Sequence, residues 1–99
     1  MAEIIWTEPA LADLEAIADY IALENPAAAA QLVARIVHHV EQLALFPESG
    51  SAVPELPASR YRQIVQPPCR IFYRHDGEAV FILHLMRNER LLRPEMLPE

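Results

Sequence analysis

The sequence predicts an α+β domain in the order β-α-α-β-β-β, an N-terminal helical hairpin packed on a twisted, mainly antiparallel sheet. Three observations carry this reading. A short β-prone run leads straight into helix-spaced apolar residues, a second helix start follows closely, and three β-type runs fill the later part of the chain. With 99 residues, 53% of them hydrophobic, the chain fits one domain over residues 1–99 and is too apolar for a disordered segment.

Ile4-Ile5-Trp6 is the first strand, and Thr7 is placed to cap a helix whose first turn holds Glu8 and Pro9. Leu11, Leu14, Ile17, Ala18 and Ile21 then recur at helical spacing, while Asp13, Glu15 and Asp19 fall mainly on other faces. Asn25-Pro26 starts the second helix, with Leu32, Val33, Ile36, Val40, Leu43 and Leu45 as its apolar positions. The join is tight, so the two helices form an antiparallel hairpin. Pro47, Ser49, Gly50, Ser51, Pro54 and Pro57 mark an irregular stretch that ends the second helix.

The three later strands are Tyr61–Gln66, Arg70–Arg74 and Ala79–Met86. Pro67-Pro68 separates the first two, and His75-Asp76-Gly77-Glu78 forms the next turn around an Asp-Gly pair. The helical hairpin is expected to cover one face of the sheet, and the distant first strand is expected to join it beside a later one.

Charge is segregated. Residues 1–59 hold Arg35 against nine acids, a balance of −8, whereas residues 60–99 hold seven arginines against five acids, a balance of +2. All eight basic residues are arginine, which suits planar, bidentate contacts to carboxylates or phosphates. An acidic chain with sparse arginines is not expected to bind nucleic acid strongly by itself. The lone Cys69 allows no intramolecular disulfide, and the N-terminus lacks the form of a signal peptide. No stretch approaches membrane-spanning length, so a cytoplasmic protein without a membrane partner is expected.

His38 and His39 are adjacent on a helix, their side chains about 100° apart, and cannot share one metal ion. Neither His75 nor His84 has carboxylate or cysteine partners at ligand spacing, so no metal and no cofactor are expected. Cys69 reads as a packing residue.

Taken together, several pieces of the chain resemble the ParE/RelE toxin superfamily. They are the run from Ala12 to Ile21, the Asn25-Pro26 start, Leu43-Ala44-Leu45-Phe46-Pro47-Glu48-Ser49-Gly50, and Val53-Pro54-Glu55-Leu56. Arg60-Tyr61-Arg62-Gln63-Ile64-Val65, Arg70-Ile71-Phe72-Tyr73-Arg74 and Val80-Phe81-Ile82-Leu83 complete the set. The likeness lies in their joint order and covers nearly the whole chain. Two positions depart from it. Cys69 stands where many relatives have an aromatic residue, and Arg87 where many have a histidine near the end of the last strand.

The ParE-like branch of that resemblance implies a type II toxin without a catalytic centre of its own. It implies inhibition of DNA gyrase by trapping the cleaved DNA complex, and neutralisation by a ParD-like ribbon-helix-helix antitoxin, for example as two toxins with two antitoxins. The RelE branch implies instead a ribosome-dependent mRNA endonuclease, and a third reading is a non-toxic module that retains only antitoxin binding. Nuclease chemistry in the RelE branch draws on basic side chains with a C-terminal tyrosine or a His-Tyr pair. This chain has no lysine, and its last tyrosine is Tyr73. Arginine alone is a poor proton donor at neutral pH.

The residues expected to contact the target or antitoxin are Arg60, Arg62, Arg70, Arg74, Arg87, Arg90 and Arg93, with Leu91 and Leu92. Arg60 and Arg62 are expected to alternate onto one face of their strand, and Arg70 and Arg74 onto one face of theirs. The plainer role for some of them is to keep a sheet edge soluble. The apolar stretch from Met86 to Leu97 can dock on its own core, pair with a second copy or be covered by a partner, and the last is the favoured expectation.

Overall fold

The computed structural model describes residues 1–97; Pro98 and Glu99, the end of the expected 1–99 unit, lie outside the described residues. The chain runs β1 (Glu3–Trp6), α1 (Glu8–Ala22), α2 (Pro26–Glu41), a 3-10 turn at Gln42–Ala44, β2 (Ser51–Ala52), β3 (Arg62–Gln66), β4 (Cys69–Asp76), β5 (Ala79–Arg87) and a 3-10 turn at Pro94–Met96. The α+β class and its order hold, with β2 as an addition. That strand is two residues long, within a stretch whose Pro, Ser and Gly content reads as irregular.

Local signals set the helix starts. Thr7 caps α1, its hydroxyl accepting from the Ala10 N–H, and Asn25 caps α2 by accepting from the Ala28 N–H at 3.0 Å. Each helix has proline in its first turn, where no donor is lost. The α2 helix ends at Glu41, so Leu45, expected on its apolar face, lies beyond it and is exposed.

The five strands lie in the order β1-β5-β4-β3-β2. β1 runs parallel to β5, with Ile4 opposite Val80 and Trp6 opposite Ile82; the other pairings are antiparallel. A parallel pair needs a long crossover, and the helical hairpin begins it. Gly77 takes a positive φ of 64° in the turn between β4 and β5, as the Asp-Gly signal requires.

A register shift breaks the β4–β5 ladder. Phe72 faces His84 and Tyr73 faces Ile82, which leaves Leu83 without a partner of its own. The extra residue changes the parity of β5. Val80, Ile82 and Leu85 therefore all enter the core beneath the helices, with Ala10, Leu32, Ile36, Val40, Leu43, Ile71 and Tyr73.

The helical hairpin covers one face of the sheet, as expected, and the other face is covered as well. On the face away from the helices, Val53, Tyr61, Phe72, Leu83, Met86, Leu92 and Leu97 form a second buried cluster. Phe72 is wholly buried and Leu83 and Leu92 nearly so. Each such side chain removed from water contributes about 1.5–3 kcal/mol. The cover is the loop around Val53 and the C-terminal segment after Arg87, which returns across the sheet.

Candidate functional site

The expected site residues divide into an internal set and an external set. Arg70 and Arg74 share one face of β4, the face away from the helices, as alternation requires. Arg70 is nonetheless only 8% exposed. Its Nε and one terminal nitrogen donate to Gln63 Oε1 at 3.0 and 2.8 Å. The two terminal nitrogens donate to Glu55 Oε1 and Oε2 at 2.6 and 2.9 Å, and one of them also donates to the Arg90 carbonyl at 3.3 Å. These bonds occupy all five guanidinium N–H groups. The guanidinium also lies 4.7 Å from the Phe72 ring centre.

Glu55 completes the knot, because its Oε2 accepts the Leu92 N–H at 2.9 Å. The hydrogen-bonded Arg70 guanidinium holds the Glu55 carboxyl well below its usual range, at about 2. Burial opposes that shift, and the Leu92 N–H reinforces it. Thus Arg70 and Leu92, both expected to face a partner, are spent inside the molecule. Arg70 ties three chain segments together, and Leu92 packs into the second cluster.

Arg62 also faces inward in part. Its Nη1 donates to the Gly50 carbonyl at 2.9 Å and to the Glu48 carbonyl at 3.2 Å, pinning the loop before β2. Arg60 precedes β3 in an exposed bend, so the expected alternation of Arg60 and Arg62 along one strand does not occur. Arg74 pairs with Asp76 at 3.6 Å and lies over Phe81. Arg87 is 3.0 Å from a Glu89 oxygen and lies over the exposed Tyr20 ring at 5.6 Å, where two shallow clefts of about 300 and 400 Å³ meet along α1.

The external set is Arg60, Arg90, Leu91 and Arg93. Arg90 and Arg93 make no ion pair among the described residues, and Leu91 is 80% exposed. Leu91 overhangs a cleft of about 520 Å³ that Pro54, Gln63, Val65 and Asn88 also line, with Glu55 and Arg70 beside them. A basic, apolar strip therefore rests on a rigid, internally paired base.

Proton-transfer groups are dispersed. Tyr73 is wholly buried, its hydroxyl accepts the Gly50 N–H at 2.9 Å, and burial pushes its pKa up. Tyr61 is buried as well. His84 Nδ1 is 2.8 Å from Asp13 Oδ2, and His75 Nδ1 is 3.4 Å from Glu48 Oε2. Burial likewise raises the pKa of the Cys69 thiol. Among the described residues no group of three His, Cys, Asp or Glu could hold a metal ion, and no helix is long and apolar enough to cross a membrane.

In the sequence Glu55 stands out only by its place in the charge balance and in a family-like segment. Its available signal was positional, a lone acid between apolar and proline residues in Val53-Pro54-Glu55-Leu56. Asp13, which the helical spacing sets off the apolar face of α1, accepts the Leu85 N–H at 3.0 Å where β1 no longer covers the edge of β5.

Comparison with known proteins agrees with this architecture. The family described as the ParE toxin of type II toxin-antitoxin system, parDE, matches residues 4–92. Toxin RelE2 of Caulobacter vibrioides is 38% identical over 89 residues, spanning 88% of this chain and 92% of that protein. The putative toxin Y4kP of Sinorhizobium fredii is 37% identical over 83 residues, 82% of this chain and 85% of that one. A solved structure described as the chromosomal ParDE TA system from P. aeruginosa superposes with a TM-score of 0.75 at 32% identity, covering 90% of this chain and 98% of that one. With nearly its full length matched in sequence and in fold, the chain belongs to the ParE toxin family of type II toxin-antitoxin systems.

Proposed function

We propose that this toxin acts on DNA gyrase, trapping the cleaved DNA complex, and that a ParD-like ribbon-helix-helix antitoxin neutralises it in the cytoplasm, for example as two toxins with two antitoxins. The toxin works as one domain without a catalytic centre, through the C-terminal strip of Arg90, Leu91 and Arg93, with Arg87 and Arg60 as further contacts. The observation that carries this reading is the placement of Tyr73. The last tyrosine of the chain is wholly buried with its hydroxyl engaged by Gly50, so it is not available to donate a proton to a bound phosphodiester. The arginines that remain exposed suit charge recognition rather than acid-base chemistry.

The likeness to a relative named Toxin RelE2 supports a second reading, a ribosome-dependent mRNA endonuclease. Purified toxin incubated with gyrase, ATP and plasmid separates the two. Lost supercoiling with accumulated protein-linked cleaved DNA supports gyrase, and weakening by Arg87→Ala/Arg90→Ala places the contact near the C-terminus. Unchanged gyrase activity together with toxin-dependent cuts in translated mRNA would overturn the proposal in favour of the nuclease.

A further inference from the structure

The exposed C-terminal strip belongs to a segment that contains no long helix or strand, yet it is held in one place. Between Arg87 and Pro94 the backbone has few regular hydrogen bonds. Asn88 N–H donates to the Pro68 carbonyl at 2.8 Å and Arg90 N–H to the Arg87 carbonyl at 3.1 Å. Beyond Asn88, the hydrogen bonds that tie this segment to the rest of the molecule come from the Glu55–Arg70 pair, which grips it twice, at the Arg90 carbonyl and at the Leu92 N–H. Those two grips bracket Leu91, the residue that points outward. Leu92 and Leu97 then anchor the strip from beneath.

Glu55 is the hub of this arrangement. Its two oxygens accept three hydrogen bonds, two from Arg70 and one from Leu92. Gln63 fixes the other edge of the same guanidinium. A bidentate arginine–carboxylate pair has one favoured geometry, so it sets position as well as energy. We infer that Glu55, together with Arg70, is a positioning residue that presents Arg90, Leu91 and Arg93 to the toxin's target. This rests on the C-terminal strip being the target contact, and not on which target it is.

Three variants test it: Glu55→Gln, Arg70→Met and their combination. Glu55→Gln removes the charge from the grip on Leu92 and leaves Arg70 buried without its carboxylate. The double variant removes both buried charges, which recovers much of the stability lost in either single change, but it does not restore the grip. The expected result is hydrogen exchange at Leu92 faster by about tenfold or more in Glu55→Gln and in the double variant, with α2 amides unchanged in the double variant. Growth arrest on expression falls at least about tenfold in both.

Arrest that returns with stability in the double variant would show a merely structural role and overturn the inference. So would full arrest in a variant whose Leu92 amide exchanges faster, or unchanged exchange at Leu92. If the wild-type protein arrests growth without touching gyrase, the proposed target fails and this inference stands. If the wild type does not arrest growth at all, the toxin reading fails, and unchanged exchange at Leu92 remains the result that sinks the grip itself.

Discussion

The Gly50 N–H donates to the Tyr73 hydroxyl at 2.9 Å, and a Cβ added at residue 50 would stand 2.6 Å from that same oxygen. It would also lie 2.6 Å from the Gln63 carbonyl on β3. The Family-like Phe46-Pro47-Glu48-Ser49-Gly50 turn thus delivers a residue without a side chain to a wholly buried tyrosine.

Gly50→Ala is expected to destabilise the protein by about 1–3 kcal/mol, since neither the strand backbone nor the tyrosine ring can move away cheaply. Tyr73→Phe tests the hydrogen bond alone. It leaves the Gly50 N–H unpaired in a buried place and costs about 1–3 kcal/mol. Urea unfolding of both variants measures the two effects, and a Gly50→Ala protein as stable as wild type would refute the close approach.

The Glu55 carboxylate predicts a pH dependence with a definite sign. Its pKa is about 2 in the folded protein against an ordinary 4.5, so folding favours the ionised form. The stabilisation is fully present above pH 4.5 and is lost as pH falls from there toward 2, amounting to on the order of 3 kcal/mol. Other carboxylates titrate over the same range, so the wild-type protein should be compared with Glu55→Gln. Their stability difference is expected to be largest near neutral pH and to shrink below pH 4.5, as read from denaturant midpoints across that range.

Asp13 gives a third test. Its Oδ2 accepts the Leu85 N–H at 3.0 Å and lies 2.8 Å from His84 Nδ1, closing the part of the β5 edge that β1 does not reach. Asp13→Ala leaves that N–H without a partner and is expected to cost about 1–2 kcal/mol, whereas Asp13→Asn keeps an acceptor and costs less. Hydrogen exchange at Leu85 should rise in the alanine variant, and equal exchange in all three proteins would count against the contact.

The parts of the fold differ in how far they could be read from sequence. The helix starts were legible because a cap acts over three residues, as Thr7 and Asn25 do, and the β4–β5 turn was legible because Gly77 needs a positive φ. The Glu55–Arg70 pair joins residues fifteen apart across a proline-rich stretch that no local rule brings together. The shift at Leu83 was equally hidden, since a one-residue bulge leaves the apolar run Val80 to Met86 unchanged in composition while altering which side chain faces which core. Leu92, expected from sequence to face a partner, lies instead in the second buried cluster, because the segment after Arg87 folds back onto the sheet, a long-range contact that no local pattern signals.

The arginines allow the sharpest contrast. Arg70 is buried with every N–H engaged, so Arg70→Ala strands Glu55 and is expected to cost about 3–5 kcal/mol of stability. Arg90 and Arg93 are exposed and make no ion pair among the described residues, so Arg90→Ala/Arg93→Ala should change stability by less than about 0.5 kcal/mol. If the exposed strip meets the target, the order reverses for activity per folded molecule: the Arg90/Arg93 variant loses growth arrest while its unfolding midpoint stays at the wild-type value. Matched midpoints with matched arrest would move the contact to Arg87 and the Tyr20 clefts along α1. A lowered midpoint would mean that these two side chains support the fold after all.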